Sequence, residues 1–227
     1  MEVLDRSVDT TVYHERDARA FDNYLMREPE VIERLVERAR GRVFVIKALC
    51  EADRLPFLMQ RFAPATVLWV FRHYEDAVRS SLRSFGKVAD NVSDLVEDPA
   101  AHGWMGRGMS TETHARLRAL HHPGMNDASR VALFWYIRNR LLYDTGLAGD
   151  PRVRLVHYER LLAAPDDELA RLFDFLGLAY RPAIGSDVRP QGRHGSEPLP
   201  IEPAVRDACD ELHAALERMH PREASAA

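Results

Sequence analysis

Arg72 stands at the end of an apolar run, Thr66 to Phe71, and seven residues separate it from Ser80. A guanidinium at the carboxyl end of a strand can grip a phosphate with two parallel hydrogen bonds, and a hydroxyl about two turns into the next helix can donate to the same group. The pair suits one terminal phosphate. The competing reading is structural: Arg72 pairs with Glu75 or Asp76, and Ser80 is a small residue at a packing face. Only two of the 31 basic residues are lysines, Lys47 and Lys87. Lys47 ends a second apolar run, Val43 to Ile46, where its ammonium either meets developing negative charge or lies exposed at a strand end. Glu51, Asp53 and His73 are candidate proton acceptors. Helix capping competes for Glu51 and Asp53, and for Asp53 it is the preferred reading.

These residues need a scaffold of strand ends, and the hydrophobic pattern supplies one. Val43 to Ile46, Thr66 to Phe71 and Val153 to His157 are short β-branched and aromatic runs. A helical stretch around Leu55 to Phe62 separates the first two, as in a parallel βαβ unit. A longer helix, Asp127 to Thr145, carries Val131, Phe134, Trp135, Arg138, Leu141 and Leu142 as a stripe that belongs against a sheet. Further helices are expected over Pro29 to Arg40, closed by Gly41, and over Asp166 to Leu176, ended by Gly177. The fold class is α/β, with the three runs as neighbouring parallel strands of one sheet flanked by helices. The reading is one domain, residues 1–220, with a core over 43–178 and an excursion over 86–126. A late loop spans 181–203, a C-terminal helix 203–219 and a frayed tail 221–227.

Composition narrows the function classes. A length of 227 residues, 46% hydrophobic and 29% charged, with a formal net charge of −4, describes a globule with no bulk attraction for nucleic acid or an anionic membrane. No apolar run approaches a bilayer-spanning length, and the first residues lack a basic segment followed by an apolar one. The two cysteines, Cys50 and Cys209, have no ligand spacing and fit a reducing compartment, so the expected location is cytoplasmic. His114, His121 and His122 show no zinc spacing either, and no metal is expected.

In order and spacing, the segments resemble the sulfotransferase family, which uses 3'-phosphoadenosine 5'-phosphosulfate. The strand, Arg72 and Ser80 resemble its 3'-phosphate motif. Val153 to Leu161, with Pro165 and then Phe173 to Leu178, resembles its Tyr-Glu-Asp-Leu segment, the following proline and the Phe-Leu-Gly helix end. Val43 to Lys47 resembles its lysine-ending strand. The resemblance implies a P-loop NTPase-like fold with Arg72 and Ser80 on the 3'-phosphate, Tyr158 on the adenine side and Glu159 structural. It implies that Lys47 steadies charge near the transferring group. Arg189 and Arg193 lie where the family often brings a second basic residue, with solvated arginines as the alternative. The implied reaction moves a sulfuryl group to a hydroxyl or amine of a small-molecule or carbohydrate acceptor. The rival is a non-catalytic module that binds adenosine 3',5'-bisphosphate or a protein partner. Two features depart from the family. No glycine-rich 5'-phosphosulfate loop precedes Val43, so the chain reads either as N-terminally truncated or as a relic lacking half its donor site and, as written, a poor catalyst; and Leu49 stands where cytosolic members place a histidine.

Overall fold

The computed structural model describes residues 1–84, 88–188 and 197–220. The chain opens with α1 (Glu2–Asp5) and β1 (Thr10–Tyr13), followed by a hairpin of β2 (Phe21–Asp22) and β3 (Leu25–Met26). Then α2 (Pro29–Glu37) leads into β4 (Val43–Ile46), and α3 (Leu55–Arg61) into β5 (Val67–Phe71). The helices α4 (Tyr74–Ser84), α5 (Val88–Glu97), α6 (Thr111–Leu120) and α7 (Asp127–Asp144) precede β6 (Val153–His157). The rest is α8 (Tyr158–Ala163), α9 (Pro165–Phe175), α10 (Pro182–Gly185) and α11 (Pro203–Met219). The chain is α/β, and most boundaries follow local chemistry. Prolines open α2, α9 and α11. Gly177, at φ +67°, ends α9 while the Leu178 amide donates to the Phe173 carbonyl at 2.8 Å, a left-handed cap.

Over the described residues the chain gathers into two compact units, 1–52 with 160–190 and 53–159 with 191–227. In the first, β1 and β4 pair in parallel from Thr10 opposite Val43 to Tyr13 opposite Ile46. Gly41 permits this pairing: a Cβ there would stand 2.4 Å from the Thr10 carbonyl carbon, and its amide donates to Thr11 Oγ1 at 2.9 Å. The glycine expected to close α2 therefore serves mainly as a close approach to β1. α1 packs on β1 and on α10, with Arg6 bound to the Ile184 carbonyl and to Asp187.

The β2–β3 hairpin turns through Asn23 and Tyr24, both with positive φ (46° and 67°), the geometry of a type I′ turn. Asparagine tolerates that region and tyrosine pays a steric cost there. Tyr24→Gly should raise the unfolding free energy by about 0.5–1 kcal/mol, after loss of the exposed Arg16 Nε to Tyr24 hydroxyl bond. Chemical denaturation checks this, and a lower stability would show that the side chain's contacts outweigh the turn.

In the second unit β5 and β6 pair in parallel, Val67 opposite Val153 through Phe71 opposite His157. The described ladders thus form three two-stranded sheets, not the one sheet expected for residues 43–46, 66–71 and 153–157. β4 takes β1 as its partner. That strand, Thr-Thr-Val-Tyr, is too short and too weakly patterned to stand out in the sequence. The long helix also differs from expectation. α4, α5, α6 and α11 all pack on α7, so Ala132, Leu133 and Ile137 are buried as well as the stripe residues Val131, Trp135, Leu141 and Leu142. Its tie to β5 is specific, Trp69 Nε1 donating to Asn139 Oδ1 at 3.4 Å. Among the described residues no helix is long and apolar enough to cross a membrane.

Candidate functional site

Because β5 and β6 run in parallel and in register, the residues that follow them emerge side by side: Arg72 and His73 after Phe71, Tyr158 and Glu159 after His157. The register is held from behind. Phe71 is 2% exposed, and its ring meets the His157 ring edge-on at 4.8 Å. Trp135 of α7 donates its indole N–H to the Arg72 carbonyl at 3.1 Å, fixing the backbone where the strand stops.

The guanidinium of Arg72 lies over the Tyr158 ring, 5.2 Å from its centroid. Two carboxylates flank it: Glu159 Oε1 is 3.5 Å from Nε, and Asp76 Oδ2 is 3.8 Å from Nη2. These are ion pairs too long to be hydrogen bonds. The Nε atom is buried without a hydrogen-bond partner, while the side chain as a whole is 26% exposed. Of the two structural partners considered for Arg72, Asp76 is the one found, and Glu75 is engaged elsewhere. Ser80 is half-buried on α4, one turn beyond Asp76.

The start of α4 is anchored on three sides. Glu159 Oε1 accepts the His73 amide at 3.1 Å, and His73 Nδ1 accepts the Glu75 amide at 3.3 Å. Arg206 of α11 donates to the Tyr74 hydroxyl at 3.1 Å, to Glu75 at 2.6 Å and to the Leu199 carbonyl at 3.0 Å. Burial pushes the Tyr74 phenol well above its ordinary range, and a hydrogen bond to Asp210 and the charge of that carboxylate push the same way. Arg79 also donates to the Glu197 carbonyl. The stretch 197–199 is thereby tied to α4. Arg189 and Arg193, expected to bring a second basic group, lie outside the described residues.

Lys47 and Glu51 belong to the first unit. Lys47 follows β4, and its Nζ lies 2.9 Å from Glu15 Oε1, just past β1. Burial raises the Glu15 carboxyl pKa, but the hydrogen bond and charge of Lys47, with a backbone amide, outweigh it and hold the group below the usual carboxylate range. Glu51 is 2% exposed and accepts the Met26 amide at 2.8 Å and the Cys50 amide at 3.2 Å, so it fastens β3 to the turn after β4. Asp53 is paired with Arg107, with Oδ2 at 2.6 Å from Nε.

The structure brings Arg72, His73, Tyr158, Glu159 and Asp76 together. Trp135 and Arg206, which hold this group in place, were not singled out by the sequence reading as site residues. Their positions, 63 and 134 residues beyond Arg72, give no local signal. Glu15 escaped notice because β1 did.

No family model matches the chain, and no curated protein matches it. Among solved structures it is similar to the sulfotransferase domain from the curacin biosynthetic pathway, with 17% identity and a TM-score of 0.49 over 81% of this chain and 67% of that one. It is also similar to the sulfotransferase from Alicyclobacillus acidocaldarius, with 16% identity and a TM-score of 0.48 over 96% of this chain and 85% of that one.

Proposed function

We propose that the carboxyl ends of β5 and β6 form a nucleotide 3'-phosphate site, and that the chain serves sulfuryl transfer from 3'-phosphoadenosine 5'-phosphosulfate. The observation that carries this is the state of Arg72. Its guanidinium is partly exposed, backed by an aromatic ring, and paired with two carboxylates at distances too long for hydrogen bonds. A terminal phosphate supplies the acceptor oxygens such a group lacks, in the two-pronged geometry that arginine favours. Ser80 adds a hydroxyl from α4, and Tyr158 offers a ring face to the adenine side.

In the reaction served, the bond between sulfur and the 5'-phosphate oxygen breaks and a bond from sulfur to the acceptor oxygen or nitrogen forms. The acceptor loses a proton, and adenosine 3',5'-bisphosphate departs. The acceptor class is a hydroxyl or amine on a small molecule or carbohydrate. Lys47 is assigned the role of a cation at a strand's carboxyl end, steadied by Glu15. The candidate bases of the proposed set already hold structural bonds: His73 Nδ1 accepts the Glu75 amide, and Glu51 accepts those of Met26 and Cys50. Cys50 and Cys209 are buried thiols not joined as a disulfide, in keeping with the cytoplasm.

Calorimetric titration with adenosine 3',5'-bisphosphate, alongside transfer of radiolabelled sulfate to a panel of hydroxyl and amine acceptors, tests the proposal. Saturable binding at one equivalent is expected. Absence of binding overturns the nucleotide site; transfer is expected to be weak, since no glycine-rich 5'-phosphosulfate loop precedes Val43, and no detectable transfer to any acceptor removes the reaction while keeping the site.

A further inference from the structure

Behind the Arg72 group, on the side of β6 that faces α11, the second unit gathers histidines that the proposed nucleotide chemistry does not use. His157 ends β6, while His213 and Glu217 stand four residues apart on α11 and so share one helix face. One nitrogen or oxygen from each lies within 4.8 Å of the others. His157 Nε2 is 3.3 Å from Glu217 Oε1, and His213 Nδ1 is 3.9 Å from Glu217 Oε2. A tetrahedral ion with ligands at about 2.0–2.2 Å holds its ligand atoms roughly 3.3–3.6 Å apart. The first separation already matches. The second is to the other carboxylate oxygen, and the three-atom set, within 4.8 Å, must contract by about 1 Å to reach these separations. Glu217 is the most exposed of the three, its side chain 39% exposed against 7% for His157 and 12% for His213.

We infer that His157, His213 and Glu217 form a binding site for a divalent transition metal ion of the zinc type, with at least one coordination position open. Two imidazoles and one carboxylate are a ligand set for such ions rather than for calcium or magnesium, which take oxygen ligands. The surroundings supply what a metal-bound histidine requires. Glu159 Oε2 lies 3.3 Å from His157 Nδ1 and is buried without a hydrogen-bond partner. With Nε2 on the ion, Nδ1 carries the proton and Glu159 is placed to accept it, in a carboxylate–histidine–metal arrangement.

The walls are aromatic. The Phe71 ring lies 4.8 Å from His157 and 5.9 Å from His213, and the His73 ring lies 4.9 Å from His213. The His220 ring stands 6.2 Å from His157. This packing limits the motion of both imidazoles, while the more exposed Glu217 marks the side from which an ion enters. No spacing rule reveals the set, since the two histidines lie 56 positions apart.

The test uses untagged full-length protein stripped with a chelator and titrated with Zn2+ by calorimetry and with Co2+ by visible absorption. One equivalent of Zn2+ is expected to bind, and Co2+ to give the d–d bands of a low-coordinate nitrogen and oxygen site. Glu217→Gln and His213→Gln, each checked for native circular dichroism, should each weaken Zn2+ by more than about tenfold. The double variant His121→Gln/His122→Gln, away from the site, should bind as the parent does. Failure of the parent to bind one equivalent, undiminished affinity in both α11 variants, or loss of binding in the His121/His122 variant overturns the inference.

Discussion

Arg72→Ala should weaken the binding of adenosine 3',5'-bisphosphate by roughly 1.5–3 kcal/mol, about tenfold to 150-fold in Kd, the range of a hydrogen-bonded interaction with a charged group. The effect is expected to be large because little of the side chain's bonding capacity is used within the protein. Asp76 and Glu159 give it charge compensation at 3.8 and 3.5 Å, while the Tyr158 ring and the Trp135 bond to its carbonyl fix where it stands. A phosphate therefore meets a preplaced guanidinium. The flanking carboxylates oppose the incoming anion, which keeps the gain within this range rather than above it. Arg72→Lys should recover only a minor part, since an ammonium keeps the charge and loses the planar fork. Calorimetry on variants with native circular dichroism decides the matter, and unchanged affinity in Arg72→Ala removes this residue from the site.

How far the sequence carries such a site depends on the range of the interactions that build it. β4 and β6 run from the residues expected, and α7 and α11 begin at Asp127 and Pro203 as read, because apolar runs, Asn126 as an N-cap and Pro203 in the first turn are local signals. Strand partnership is not local. β4 pairs with β1 because Gly41 lets the backbones meet, and a glycine ahead of a strand reads equally well as a helix end. The faces of α7 were misjudged for a similar reason. Alanines and a buried Ser129 between the larger apolar residues look like a polar-side pattern until four other helices cover them.

At the candidate site, Arg72 was singled out as the residue after an apolar run and Tyr158 through the family resemblance, and parallel pairing of β5 with β6 sets the two together. The occupations of Glu51 and His73 were not legible. A carboxylate that holds two backbone amides and a ring nitrogen that caps a helix have the same letters as a general base, and only the position of their partners distinguishes the roles. The His213 and Glu217 pair of α11 was hidden by distance alone, for the two look like polar positions on an amphipathic helix until β6 places His157 opposite them.

Glu159 supplies the sharpest separation between holding the site and binding its ligand, because removing it should move stability and affinity in opposite directions. Its Oε1 accepts the His73 amide and lies beside Arg72, while its Oε2 faces His157, so one carboxylate joins the start of α4 to the ends of both strands. Glu159→Ala leaves the amide without its acceptor and two cationic or potentially cationic side chains without their counter-charge, a loss of about 2–4 kcal/mol in unfolding free energy. Glu159→Gln is gentler: the amide oxygen still accepts from His73, and the expected loss is about 1–2 kcal/mol, from the charge alone. That same change removes one of the two negative charges competing with phosphate for Arg72. Glu159→Gln should therefore bind adenosine 3',5'-bisphosphate as tightly as the parent or a few-fold more tightly, the gain shrinking as added salt screens the charges. Denaturant unfolding and calorimetry on one preparation measure both quantities. A Gln variant that loses stability and nucleotide affinity together would show that Glu159 shapes the phosphate site itself, and that the electrostatic competition inferred around Arg72 is not what governs it.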